Sequence, residues 1–321
     1  MNRACKVLAV ADGNRQVRIY FDSRWMKYMN ILVTGATGFV GSALITTLLR
    51  TDHSISALTR DAASYASPEG IRVIEADLLD QASLKGIFNG VDVVYYLVHS
   101  LETGPSFAQR DRDAARNFTR AASEGGVHRV IYLGGLGETG EDLSEHLRSR
   151  REVEEFLAEG TFALTTLRAA IIVGRGSSSF TMIRQLVERL PLMITPQWVR
   201  TQCQPIAIQD VIAYLVGVLD VPETADDTFE IGGPDVLTYQ EMLIETGKQL
   251  GKHPLIIPVP VLSPALSVYW VDLVTDVSKN VAHPLIYGLK NAVVVRDNRI
   301  REYLPIKLTP FEDAVALALH E

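Results

Sequence analysis

The stretch Asn30-Ile31-Leu32-Val33-Thr34-Gly35-Ala36-Thr37-Gly38-Phe39-Val40-Gly41 decides the fold. An apolar, β-prone run leads straight into glycines spaced GxxGxxG. A helical pattern follows, with Val40, Leu44 and Leu48 on one face. Each glycine has its own task. Gly35 permits the tight turn, Gly38 lets the backbone approach a pyrophosphate, and Gly41 lets the helix pack closely on the strand. Thr37, Phe39 and Val40 sit where exposed amides and the positive helix end hold the anion.

The pattern repeats outward from this loop. Strand-like runs at 54–58, 71–75, 91–98, 129–133 and 163–167 alternate with helical segments at 81–88, 106–123 and 141–158. That alternation predicts βαβ units and a parallel sheet. Runs such as VVYYLV and VIYL are apolar on both faces, as in a sheet covered on both sides. Beyond about residue 170 the pattern loosens. Helices are expected at 177–189, 209–219 and 238–250, with short strands at 205–208 and 228–231. The predicted architecture is a Rossmann-type, doubly wound α/β core over residues 29–170. A smaller α+β cap lobe at 171–321 is interleaved with it and faces the substrate. Residues 1–28 form an extension, read either as a small hairpin around Asp12-Gly13-Asn14 or as loosely ordered chain upstream of a start near Met26 or Met29.

Composition narrows the function. The 321 residues are 47% hydrophobic and 21% charged, which excludes a disordered chain or a fibre. The net charge of −7, without a basic run, argues against a nucleic-acid partner. Two cysteines, Cys5 and Cys203, give neither a disulfide framework nor a zinc spacing, and the seven histidines form no metal-ligand pair. Free thiols suit a reducing compartment, so a cytoplasmic location and no metal are expected. The most apolar stretch, 255–274, holds Pro258, Pro260, Pro264 and Asp272, which rule out a continuous spanning helix. Residues 263–275 have the spacing of an amphipathic helix, with Leu266, Trp270 and Val274 on one side. Domain core or a face between copies is the plainer reading, and membrane-surface contact is the alternative.

The second strand ends in Ala57-Leu58-Thr59-Arg60. An acid there would accept from a ribose 2′-hydroxyl, whereas Arg60 favours the 2′-phosphate, so NADP is expected over NAD. Asp77 and Leu78, past the third strand, fall where the adenine edge would lie. Ligands bind outside the carboxyl ends of parallel strands. That gathers Val98, His99 and Ser100, then Gly134 and Gly135, then residues 170–179 with Arg175, Ser177 and Ser178. Trp198 and Arg200 would line the substrate side from the second lobe. Serines at 177–179 are equally the residues that cap a helix.

ILVTGATGFVG, ALTR, EADL at 75–78 and GVDVVYYLVHS at 90–100 resemble the short-chain dehydrogenase/reductases. With HLRSRREVEEFL, LRAAIIVGRGS, PIAIQDV and IGGPDVLTYQEM, the chain is most similar to their atypical, NmrA-like and YbjT-like NAD(P)-binding branch. The resemblance implies the Rossmann core and a bound dinucleotide. It also implies a catalytic Ser or Thr with a Tyr-x-x-x-Lys pair, and here the sequence departs. The aligned positions are His146 and Arg150, and the hydroxyl position falls in Leu133-Gly134-Gly135. Histidine is the side chain that ordinarily exchanges a proton near neutral pH, so His146 is the candidate proton donor, with His99 as a second. Arg150 would hold a ribose or phosphate but is neither acid nor base. The expected function is an NADP-dependent oxidoreductase acting on a small carbonyl, quinone-like or nucleotide-sugar compound. An NAD(P)-sensing or scaffold protein without turnover is the alternative, and an epimerase or dehydratase comes third. The sequence leaves an oligomer open.

Overall fold

The structure is a computed structural model that describes residues 8–11, 17–20, 28–98, 107–137, 145–259, 276 and 292–320. His99, Ser100 and the amphipathic stretch 263–275 lie outside these residues, and His146 and Trp198 are described by backbone alone.

Near the amino terminus, β1 (Leu8–Ala11) pairs antiparallel with β2 (Val17–Tyr20), Leu8 opposite Tyr20. The main sheet begins with β3 (Asn30–Thr34), followed by α1 (Phe39–Leu48), β4 (Ser54–Thr59), β5 (Arg72–Glu75) and β6 (Val93–Tyr96). Then come α2 (Phe107–Glu124), β7 (Arg129–Gly135), α3 (Glu145–Ala158) and β8 (Ala163–Ala169). The lobe adds β9 (Ile172–Val173), α4 (Ser178–Arg189), β10 (Leu192–Pro196), β11 (Gln202–Cys203), β12 (Ile206–Ala207) and α5 (Ile208–Gly217). It continues through β13 (Asp227–Ile231), β14 (Leu237–Thr238), α6 (Tyr239–Gln249), β15 (Leu255–Val259), α7 (Ile300–Tyr303) and α8 (Phe311–His320).

Seven strands form one sheet in the order β13-β8-β7-β6-β3-β4-β5, and every pairing is parallel. Strand order reverses between β3 and β6, which opens a crevice beyond their carboxyl ends. The strands read as unbroken apolar runs because successive residues serve opposite cores. Ile31, Val33, Ala57, Tyr95 and Ile131 pack under α1 and α5 with Leu44, Leu48, Val211 and Leu215. Leu32, Val94, Tyr96, Val130 and Tyr132 pack under α2 and α3 with Phe118, Val153 and Leu157. Phe118 meets Phe88 and Tyr96 edge-on, with centroids 5.3 and 4.8 Å apart.

A third core joins α4, α6 and α8 through Phe180, Ile183, Met242 and Val315. Cys203 is buried there, and burial pushes its thiol up to about 11. The lobe is not contiguous in sequence, since α5 and β13 both return to the main sheet.

One expected helix is absent. Residues 81–90 form successive turns with i to i+3 backbone bonds, among them Leu84 N–H to Gln81 O at 3.3 Å. Gly86 and Gly90 adopt φ of +76° and +74°, which an α-helix does not tolerate.

Candidate dinucleotide site

The glycine loop lies at the mouth of the crevice. Gly35 adopts φ +66°, and a Cβ there would sit 2.7 Å from the Leu97 carbonyl oxygen at the end of β6. The two strand ends are tied by a residue that the sequence did not single out. The Thr34 hydroxyl donates to Tyr95 O at 3.1 Å and accepts from Leu97 N–H at 3.2 Å. A β-branched hydroxyl directly before the first glycine was the available signal. Val98 follows, half-buried.

Gly38 is the N-cap of α1, with ordinary extended angles of φ −81° and ψ 170°. A Cβ on it would meet only Gly35 O, at 3.2 Å. Beyond that contact lies open space, so the cradle that a side chain would fill is empty of protein. No side chain caps α1, and its first turn carries no acid. The amides of Phe39, Val40 and Gly41 therefore begin a bare helix end, a ready seat for an anion. Gly41 is buried, and a Cβ there would fall 2.2 Å from Gly35 O. The loop after β9 lies over the same helix start, because a Cβ on Gly174 would reach the Phe39 ring at 2.8 Å. These residues fit a dinucleotide pyrophosphate.

At the β4 and β5 side, Arg60 is exposed directly after β4. The turn behind it is fixed by Asp61, whose Oδ1 accepts from Ala63 N–H at 3.0 Å and Ser64 N–H at 3.1 Å. These bonds hold the Asp61 carboxyl below the usual carboxylate range. Glu75 accepts from Ala62 N–H at 2.9 Å. Asp77 is half-buried, and its Oδ1 accepts from Leu79 N–H at 2.9 Å. Leu78 is 5% exposed and packed in the α2-side core, and its carbonyl oxygen accepts from Asn117 Nδ2 at 3.0 Å, so it belongs to that core rather than to the adenine edge.

Residues 35–184 match the family model described as NAD(P)H-binding. The matched residues run from the glycine loop into α4, so the likeness is to an NAD(P)H-binding fold. Among solved structures, a nucleoside-diphosphate-sugar epimerase from Staphylococcus aureus superposes with a TM-score of 0.71 at 18% identity, covering 90% of this chain and 100% of that one. An NADPH-dependent quinone oxidoreductase from Escherichia coli, complexed with NADPH, superposes with a TM-score of 0.70 at 23% identity, covering 89% and 98%. At these identities the likeness shows the fold. Among curated proteins, a mitochondrial NADH dehydrogenase (ubiquinone) 1 alpha subcomplex subunit 9 from Arabidopsis thaliana is 27% identical over a 223-residue alignment that covers 65% of this chain. Cinnamoyl-CoA reductase 1 from Oryza sativa is 28% identical over 138 residues, 40% of this chain. The chain spans 55% of the first relative and 39% of the second.

Within the matched residues, α3 packs against β7 and β8. Arg150 lies on it, and its Nη1 donates to Leu133 O at 3.4 Å. The Tyr132 hydroxyl donates to Arg150 O at 3.2 Å. Burial pushes the Tyr132 phenol up, and the Arg150 guanidinium partly offsets it. Arg150 Nε is buried without a partner among the described atoms. His146 lies one turn earlier on the same helix. Gly134 supplies no hydroxyl, as expected, and a Cβ there would press on the Tyr132 ring at 3.0 Å.

The sheet register adds residues that the sequence did not reveal. Gly134, Arg168 and Glu230 stand side by side across β7, β8 and β13. Arg168 donates to both Glu154 oxygens, at 2.6 and 3.0 Å, and Thr228 donates to Glu154 at 3.2 Å. Glu230 accepts from Arg296 N–H at 2.6 Å. With Leu136, Gly137, Ala292, Val294 and Arg296, Arg168 and Glu230 line a shallow cleft open to solvent. Glu154→Ala should cost about 2–3 kcal/mol, because it strands a largely buried guanidinium. Denaturant unfolding would read that loss.

The serines after β8 divide. Ser177 Oγ accepts from Phe180 N–H at 3.3 Å, and Ser177 is buried as the N-cap of α4. That assigns it to the cap rather than to substrate. Ser178 opens α4, half-buried. Trp198 and Arg200 lie in a short 3-10 turn between β10 and β11, packed beside α6 and β15, and Arg200 is exposed.

Proposed function

We propose that this chain is an NADP(H)-dependent oxidoreductase with a quinone-like acceptor. The coenzyme preference rests on Arg60, an exposed cation after β4 beside an acid whose Oδ1 is committed to two turn amides. Its guanidinium matches a 2′-phosphate, with the charge-assisted geometry that a 2′-hydroxyl does not exploit. Arg60→Ala should weaken NADPH by about ten- to a hundredfold and leave NADH within about twofold. Fluorescence titration with both nucleotides checks this, and equal losses would remove Arg60 from the coenzyme site.

The acceptor follows from the missing hydroxyls. Position 134 is glycine, and positions 146 and 150 are histidine and arginine. When bound, the coenzyme supplies a hydride. Reduction of a simple ketone or aldehyde leaves an alkoxide about as basic as hydroxide, which requires a positioned acid. Reduction of a quinone leaves a phenol-like anion with a conjugate pKa near ~10, which solvent protonates readily. A histidine in place of the phenol at position 146 therefore suits the second reaction best. Arg150, lodged against the end of β7, takes the ribose-holding role, and His146 supports proton delivery from one turn away.

A second reading, nucleotide sensing without turnover, draws on the same departures. It is also supported by the curated relative described as a subunit of the NADH dehydrogenase alpha subcomplex. Epimerase or dehydratase chemistry leans most on the absent tyrosine and ranks third. Coenzyme oxidation against a panel of benzoquinones, aldehydes and ketones separates them. The proposal expects quinone turnover about a hundredfold or more above any aldehyde. Tight NADPH binding with no turnover would favour sensing, and a preference for aldehydes would contradict the acceptor argument.

A further inference from the structure

The described surface has ten exposed large hydrophobic side chains, and four of them form one patch. The strands β10 and β15 pair parallel, with Leu192 opposite Leu255 and Ile194 opposite Ile257. These four are 46%, 60%, 58% and 43% exposed, in that order. The intervening pair, Met193 and Ile256, points the other way into the lobe core at 3% and 9%. This ribbon is apolar on both faces, whereas the outer face of a solvated strand pair is normally polar. A contiguous aliphatic face of this kind marks a contact surface.

Charge indicates what covers it. Residues 184–200 and 245–259, which carry the ribbon, hold Arg184, Arg189, Arg200, Lys248 and Lys252 against Glu188 and Glu245. Asp276, bonded to Arg189 at 2.6 Å, and Glu312, bonded to Gln249 at 3.2 Å, add two more acids. Arg184, Arg189 and Lys248 are ion-paired, and five cations against four anions leave this region slightly positive, on a chain whose net charge is −7. Lys252 and His253 precede β15, Arg189 precedes β10, and Arg200 follows it; Lys252, His253 and Arg200 are exposed. An apolar face with a cationic rim is complementary to an anionic lipid surface. Two copies set face to face would instead bring their cationic rims together. The chain also runs on from β15 in an apolar sequence, with Asp272 as the single charge between residues 255 and 274.

We infer that the outer face of the β10–β15 ribbon docks this protein on an anionic lipid surface. Docking there places the lobe at the phase in which lipophilic quinones dissolve. That link to turnover rests on the acceptor reading, whereas the docking itself does not.

Flotation of the full chain with vesicles tests the inference. Vesicles of phosphatidylcholine with phosphatidylglycerol are compared with phosphatidylcholine alone, at low and high salt. The chain should float with the anionic vesicles, and high salt should weaken the association. Ile194→Asp and, separately, Leu255→Ser should lower the floated fraction about tenfold or more. Both sites are exposed, so melting temperature and NADPH affinity should stay unchanged. Three outcomes overturn the inference: no flotation of the wild-type chain, flotation insensitive to both variants, or a light-scattering dimer that Ile194→Asp converts to monomer. The last would assign the face to a second copy.

Discussion

Gly38→Val is expected to abolish dinucleotide binding while leaving the chain folded. The backbone angles at Gly38 suit any residue, and a Cβ there touches only Gly35 O, at 3.2 Å. The folded state therefore bears the substitution at a cost of about 1 kcal/mol or less, the usual range for a poor N-cap. The branched side chain, however, projects into the space that the bare amides of α1 leave for the pyrophosphate. Affinity should fall at least about a hundredfold, equivalent to about 2.7 kcal/mol. Nucleotide titration and a melting curve on the same sample read both halves. Unchanged affinity would refute the loop assignment.

Gly41→Val, three residues on, should do the reverse and damage the fold itself. Its Cβ would stand 2.2 Å from Gly35 O, 2.9 Å from Gly35 C and 3.0 Å from Ala36 Cα, all of them backbone atoms. No side chain can swing aside to relieve such contacts, so α1 must move off the turn that it packs against. A cost above about 3 kcal/mol is expected, at the upper end of overpacking effects. In a chain of this size that corresponds to a melting temperature lower by roughly 10 °C. Thermal denaturation without nucleotide checks it. A stable Gly41→Val variant that had lost only binding would mean that the close contact between turn and helix is not structural. Two glycines of one motif thus have separable phenotypes, one on the ligand and one on the packing.

Much of this was legible in the sequence because the central strands are buried on both faces. Ile31 and Leu32 serve different cores, and both are nearly fully buried, so β3 reads as an unbroken apolar run. The same holds for β6 and β7. The glycine loop was legible because its backbone needs no partner distant in sequence. The lobe was harder to read. β9 and β12 are two residues each and exist only because Ile172 meets Ile206 across the fold. β10 and β15 are defined by each other, sixty residues apart, and an apolar run ending in prolines does not announce a strand. Residues 81–88 have helical periodicity, but the positive φ of Gly86 and Gly90 converts the segment to turns.

The site divides in the same way. Arg60 and the loop residues follow strand ends directly, so position in sequence places them. Arg168 and Glu230 reach the cleft through the parity of β8 and β13 and their register against Gly134, which no local pattern encodes. Ser177 shows the opposite case, where a polar residue beside a ligand-facing loop serves its own helix.

The central claim is that the crevice between β3 and β6 binds NADP(H), with the glycine loop on the pyrophosphate and Arg60 on the 2′-phosphate. Titration of the purified chain with NADPH and NADH, followed by nicotinamide fluorescence, tests it most directly. The account predicts saturable binding of both, with NADPH at least about tenfold tighter. Equal affinities would contradict the role of Arg60, and no binding of either nucleotide would contradict the claim itself.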